Sequence, residues 1–138
     1  MKTRIVRLLF FSLILLFVAV LSAGGMGKNS DLPQVIFKHW THSYEEDTKD
    51  VKVFRPSHYD FPRARGRGGF EIKKNGEFVQ YRIGRTDRIE RSSGHWKAGS
   101  KGKIIVYLKT DNGIVSYTIN IVSCSREILR IKIELRKN

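Results

Sequence analysis

The last third of the chain alternates apolar and polar residues with a period of two. Val115, Tyr117, Ile119 and Ile121 share one parity, and Leu129, Ile131, Ile133 and Leu135 repeat the pattern against Arg130, Lys132, Glu134 and Arg136. Successive side chains of a strand point to opposite faces. This spacing therefore predicts half-buried strands, one face on a core and one in water. A helix could not gather those residues on one side, because its neighbours recur three and four residues apart.

The same signature extends upstream. Strands are expected over 35–44, 51–54, 70–73, 78–83, 95–97, 103–109, 114–122 and 128–136. The acidic break Glu45-Glu46-Asp47 follows the first, and Pro56 closes the second. Residues 57–69, rich in Pro, Arg and Gly, are expected as a loop. Asn75-Gly76 is a strong hairpin signal, a type I′ turn requiring positive φ at both central residues. Asp111-Asn112-Gly113 marks a second hairpin. No segment beyond residue 23 carries a helical period, and no internal repeat is present. About eight strands in one small domain predict an all-β fold, an up-and-down antiparallel barrel. Closure of the sheet would remove exposed strand edges. A two-sheet sandwich would use the same strands and stays open at this point.

The N-terminus has a different character. Lys2, Arg4 and Arg7 precede an apolar run from Leu8 to Leu21, interrupted by Ser12 and followed by Ser22, Ala23, Gly24 and Gly25. A positive region, an apolar region and a small-residue zone, in that order, predict a secretory signal peptide over 1–23. The apolar run is shorter than the ~20 residues a membrane-crossing helix needs. No cysteine stands directly after it, so no lipid attachment is expected there. The protein is then expected to be secreted or periplasmic, or held at the inner membrane if the segment is not removed. Residues 24–34 are expected as a flexible segment and 35–138 as the barrel domain. That domain is large enough to bury a core without a disulfide or metal staple. Cys124 is the only cysteine, so no intramolecular disulfide forms; its place at a strand end predicts a buried structural thiol.

The chain carries a net charge of +13, of which Lys2, Arg4 and Arg7 supply three, leaving +10 beyond residue 23. Such a balance favours polyanions: lipopolysaccharide, phospholipid headgroups or acidic glycans. Nucleic acid is an unlikely main partner for an exported chain. Charge says nothing about oligomeric state, which stays open.

Several short segments carry a resemblance. Lys38-His39-Trp40 stands where lipocalin-like barrels place Gly-x-Trp near the start of the first strand, with Lys38 in place of Gly. Gly94-His95-Trp96 repeats the pattern. Arg65-Gly66-Arg67-Gly68-Gly69-Phe70-Glu71 resembles an R-G-R-x-G-F-E segment, and Arg85-Thr86-Asp87 a P-T-D segment with Arg85 in place of Pro. Over roughly residues 37–135 the chain resembles small secreted bacterial lipocalin-like barrel proteins. The resemblance implies a barrel with Trp40 plugging one end, and it implies no particular substrate.

Three groups of residues bear on chemistry. Glu45, Glu46 and Asp47, with Asp50, could attract a hard cation, but the spacing and glycine of a calcium loop are absent. The alternative is pairing with Arg63, Arg65 and Arg67, since a guanidinium presents a rigid fork to two carboxylate oxygens. His39 and His42 are three apart, which on a strand sends them to opposite faces and away from a shared ion. The Arg-Gly run 63–69 resembles nucleic-acid-binding segments in composition, but between two strands its glycines more readily serve a tight return into the barrel.

No Gly-x-Ser-x-Gly, P-loop or paired acid and base is present, so no enzyme, metal or cofactor is expected. The leading expectation is a binding protein that holds a small apolar or amphipathic ligand in the barrel mouth. Candidate lining residues are Trp40, Phe54, Phe70, Phe78, Tyr81, Trp96 and Tyr117, all equally suited to a core. The rival is a cell-envelope interaction protein that uses its basic surface on anionic lipid or glycan. A cavity of ~300 Å³ or more would favour the ligand, whereas a filled interior would favour the surface role.

Overall fold

The computed structural model describes residues 32–136. Residues 1–23, expected as a signal peptide, and the residues up to 31 lie outside the described part. Eight strands are present among the described residues: β1 His39–His42, β2 Lys52–Pro56, β3 Gly69–Ile72, β4 Glu77–Ile83, β5 Ile89–Ala98, β6 Lys103–Thr110, β7 Gly113–Cys124 and β8 Leu129–Leu135. Every neighbouring pair is antiparallel, and the sheet closes on itself in the order β1-β2-β8-β7-β6-β5-β4-β3. The protein is thus an all-β, closed, antiparallel eight-stranded barrel rather than a sandwich.

From β3 to β8 the strands follow one another as a meander. The first hairpin breaks that order, because β1 lies between β2 and β3 while β2 pairs with β8. Since β1 is antiparallel to both of its neighbours, β2 and β3 run in the same direction. Residues 57–68 must therefore travel from one end of the barrel to the other before β3 can begin. The basic, Gly-rich segment is this crossover strap, longer than any hairpin turn and without strand structure of its own.

Local chemistry accounts for other departures from the expected boundaries. The stretch 35–44 is not one strand: 3₁₀ turns at Gln34–Ile36 and Tyr44–Glu46 flank the four residues of β1. Ile36 and Trp40 are both fully buried, and the Trp40 indole N–H donates to the Ile36 carbonyl oxygen at 2.9 Å. An extended chain would carry Ile36 away from that bond. Leu32, in the segment expected to be flexible, also joins the core. β2 runs through Pro56 rather than stopping before it. β5 spans ten residues where only 95–97 were expected, because Ser92, Ser93 and Gly94 hide it from a propensity reading.

The β3–β4 turn is not type I′. Gly76 takes φ +90°, whereas Asn75 stays out of the left-handed region. The Gly76 N–H donates to the Lys73 carbonyl and the Lys73 N–H to the Glu77 carbonyl. This is a type I turn closed by one left-handed residue, the form that three-residue hairpin loops favour.

The core fills one end of the barrel. Trp40, Ile36, Ile72, Phe78, Ile104, Leu129 and Ile131 are all at most 1% exposed, and Trp96 packs beside them. The Trp96 indole N–H donates to the Lys73 carbonyl oxygen at 2.8 Å, so both tryptophan donors are satisfied. Cys124 is half-buried at the edge of this core, and burial pushes its thiol pKa up. It is less enclosed than the sequence led us to expect.

Candidate functional site

The opposite end of the barrel is open. Register shows why. β2 begins pairing with β8 at Lys52↔Ile131, so β8 continues past its partner through Leu135. β3 begins at Gly69↔Tyr81, so β4 likewise runs on to Ile83. Short strands β1–β3 thus leave one side of the mouth low. Ile133 and Leu135 keep the inward parity of Leu129 and Ile131, yet they are 42% and 77% exposed.

A pocket of about 570 Å³ opens here. It is lined by His42, Phe54, Phe70, Gln80, Tyr117 and Ile119 within the barrel, and by Lys52, Arg82, Ile133 and Leu135 at its rim. Its floor is a run of rings. His42 stacks on Phe54 at 4.8 Å between centroids, Phe54 meets Phe70 at 4.8 Å, Phe70 stacks on Phe78 at 5.4 Å, and Phe78 meets Tyr117 edge-on at 6.3 Å. Aromatic pairs at such separations hold one another in fixed geometry. Tyr117 is 7% exposed, and its burial raises the phenol pKa against the opposing pull of Arg82. It therefore stays a neutral hydroxyl at the pocket wall. Gly69, at the lip, has no room for a side chain, because a Cβ there would collide with the Trp40 carbonyl oxygen.

The candidate lining residues divide three ways. Phe54, Phe70 and Tyr117 face the pocket. Trp40, Phe78 and Trp96 belong to the packed core, with Phe78 reaching the floor through its ring contacts. Tyr81 borders the pocket, but its ring stacks on His39 at 4.6 Å and its hydroxyl reaches Glu71, both on the outer wall. His39 and His42 point to opposite faces of β1. His42, Lys52, Gln80 and Arg82 were not anticipated. Their signal was the parity itself: Gln80 and Arg82 share the inward phase of Phe78.

The acidic residues 45–47 distribute themselves over three cations, one of them in the expected arginine set. Arg67 donates to both oxygens of Glu45 at 2.6 and 2.8 Å and to the Pro62 carbonyl at 2.8 Å. Its guanidinium lies between the rings of Tyr44 and Phe61, at 4.8 and 4.7 Å. Glu46 pairs instead with Arg55, which donates at 2.7 Å and covers the Tyr59 ring at 4.7 Å. Asp47 accepts from the Val53 N–H at 2.8 Å and faces His42 at 2.9 Å and Lys52 at 3.7 Å. Arg63 and Arg65 take no part in the ion pairs of the described residues. Two arginines, each with a carboxylate and an aromatic face, therefore clamp the crossover strap. The hydrogen bond from Arg67 holds the Glu45 carboxyl down to about 2, and the bond from Arg55 does the same for Glu46.

Chemically the mouth can enclose an apolar body against Phe54, Phe70, Tyr117 and Ile119 and meet a polar end at Lys52, Gln80 and Arg82. No protein-family model, no curated protein and no solved structure matches the chain.

Proposed function

We propose that this chain is an exported lipocalin-like binding protein that holds a small amphipathic ligand in the open mouth of its barrel. The pocket carries the reading: about 570 Å³ of space with an aromatic floor and a polar rim. Small-molecule sites have this composition and fall within roughly 300–1,000 Å³. An eight-stranded barrel has an interior just wide enough for its own side chains or for one such ligand. Here side chains fill one end, and the other is left for an occupant. The role is binding rather than catalysis. Asp47, whose partners His42 and Lys52 line the pocket, is already engaged by both and by the Val53 N–H.

The test uses N-phenyl-1-naphthylamine, an apolar fluorescent probe, titrated into the purified protein. Saturable binding is expected, and Gln80→Trp, which fills the pocket from its wall, should weaken it at least tenfold while circular dichroism stays unchanged. A wild-type protein that fails to bind the probe, or a Gln80→Trp variant that binds equally well, would refute the reading.

A further inference from the structure

The outward parity of the long strands gathers a second set of residues, on the barrel wall rather than in the mouth. Trp96, Ile104, Val106, Leu108, Ile119 and Ile131 are buried, so the residues that alternate with them face solvent. Register sets these outward residues in rungs. His95, Tyr107 and Ser116 form one rung across β5, β6 and β7. Lys97, Ile105, Thr118 and Glu134 form the next, and Lys103, Asn120 and Lys132 a third. Beyond the first rung, toward the open end, Lys109 lies opposite Ile114. From Lys109 to Lys103 the track along β6 measures about 20 Å, at roughly 3.3 Å per residue.

The charge on this wall is one-sided. Strands β5–β8 turn Arg91, Lys97, Lys103, Lys109, Arg130 and Lys132 outward, against the single outward acid Glu134. Arg91 lies 4.0 Å from Glu77, and Arg130 adjoins Glu46. The four lysines enter none of the ion pairs of the described residues. Between them stand groups that can donate and accept hydrogen bonds. His95 stacks on Tyr107 at 4.9 Å between centroids, and the Lys97 ammonium lies 5.9 Å from the centre of the same tyrosine ring. The Asn120 side-chain oxygen has no hydrogen-bond partner among the described residues. At the open-end side of the track lies a groove of about 580 Å³, lined by His95, Tyr107, Lys109, Asp111 and Ile114. It shares no lining residue with the mouth pocket.

We infer that the outer wall of β5–β8 binds an acidic glycan, a chain of sugars that carries carboxylate or sulfate groups. Each lysine is a compact charge on a flexible stem and can meet such a group where it falls along the track. The groove seats a sugar ring, its C–H face on Tyr107 and Ile114 and its hydroxyls toward His95 and Asp111. The wall itself selects this occupant. A bilayer is flat and a barrel wall convex, and the middle of this wall exposes no large apolar side chain to bury among lipid. A single-stranded nucleic acid stacks its bases on free aromatic faces. Here His95 takes one face of Tyr107, and the Lys97 ammonium lies near the ring. A protein partner would want an apolar centre, whereas Ser116, Thr118 and Asn120 hold the centre with lysines around them. The inference goes beyond ligand holding in the mouth and stands without it.

The experiment is calorimetric titration of the purified protein with a heparin oligosaccharide, set beside neutral dextran, a dT oligonucleotide of equal charge and vesicles containing phosphatidylglycerol. Heparin binding is expected, weakening as salt screens the charges, with no binding of dextran and at least tenfold weaker binding of the oligonucleotide and the vesicles. Lys97→Gln/Lys103→Gln/Lys132→Gln, three exposed positions, should weaken heparin binding at least tenfold with unchanged circular dichroism, and Tyr107→Ala should weaken it severalfold. Lys49→Gln/Arg63→Gln/Arg65→Gln removes the same charge from the β1–β2 connection and the crossover strap, and should change affinity less than threefold. N-phenyl-1-naphthylamine binding should be unaltered in both triple variants, while the pocket-filling Gln80→Trp should retain heparin binding; the two readings thus fail separately. The inference is overturned if the wild type ignores heparin, or if the oligonucleotide or the vesicles bind as tightly. Equal losses in the two triple variants would also overturn it, because the protein would then be answering to net charge and not to this wall.

Discussion

At the scale of single residues, burial and hydrogen bonding separate side chains that look alike in sequence. Trp40 and Tyr81 were equal candidates for the interior, yet one is fully enclosed and the other lies on the outer wall. Trp40 fills the closed end, donates its indole N–H to Ile36 and is covered by the Lys38 ammonium at 4.7 Å from its ring. Trp40→Ala would leave a large void among residues that cannot collapse into it. The expected cost is ~3–5 kcal/mol, seen as a lower urea midpoint; an unchanged midpoint would show that the closed end does not depend on this ring. Arg67 and Arg65 make the same point. Both were read as partners for the acidic run, but only Arg67 sits between two rings with a carboxylate in its fork. Residue type showed that charge would pair there, and three-dimensional reach chose the partners.

Elements follow from the chain where its rules are local. The strands after residue 100 are close to their expected bounds, because their alternation and the Asp111-Asn112-Gly113 turn are visible without any tertiary knowledge. Boundaries were lost where a distant contact decides. The 3₁₀ turn before β1 exists so that Ile36 can enter the core, and β5 is held by pairing on both sides despite its serines and glycine. The β3–β4 turn isolates one such rule. Gly76 has φ +90° and open space around it, so a methyl group there would meet no neighbour. Gly76→Ala should therefore cost about 1–2 kcal/mol through backbone conformation alone. Chemical denaturation reads this directly, and a neutral result would mean that the turn has changed type.

For the whole molecule, the strap over β1 links charge to stability. Glu45 and Glu46 are held near 2 by Arg67 and Arg55, below the ordinary 4.5 of a glutamate. A carboxyl whose folded pKa is depressed contributes stability that is complete above its unfolded value. That contribution is lost as pH falls toward the folded one. The midpoint of unfolding should thus decline between about pH 4.5 and 2. In Glu45→Gln/Glu46→Gln the decline over that window should be shallower, with a lower midpoint at neutral pH; parallel curves for variant and wild type would show that these pairs do not hold the strap. The sequence by itself determined the all-β class, the number of strands and the inward parity of β7 and β8, because a period of two is a property of neighbours along the chain. It also carried the opposite signs of residues 45–47 and 63–67. The tertiary structure alone decided that β1 sits between β2 and β3, that residues 57–68 cross the barrel lengthwise, and that one end is packed while the other is open. Those outcomes depend on which strands pair and where each partner stops, as with β8 outrunning β2 beyond Ile131. Register between segments distant in sequence is set by the joint packing of the core and leaves no trace in any one segment.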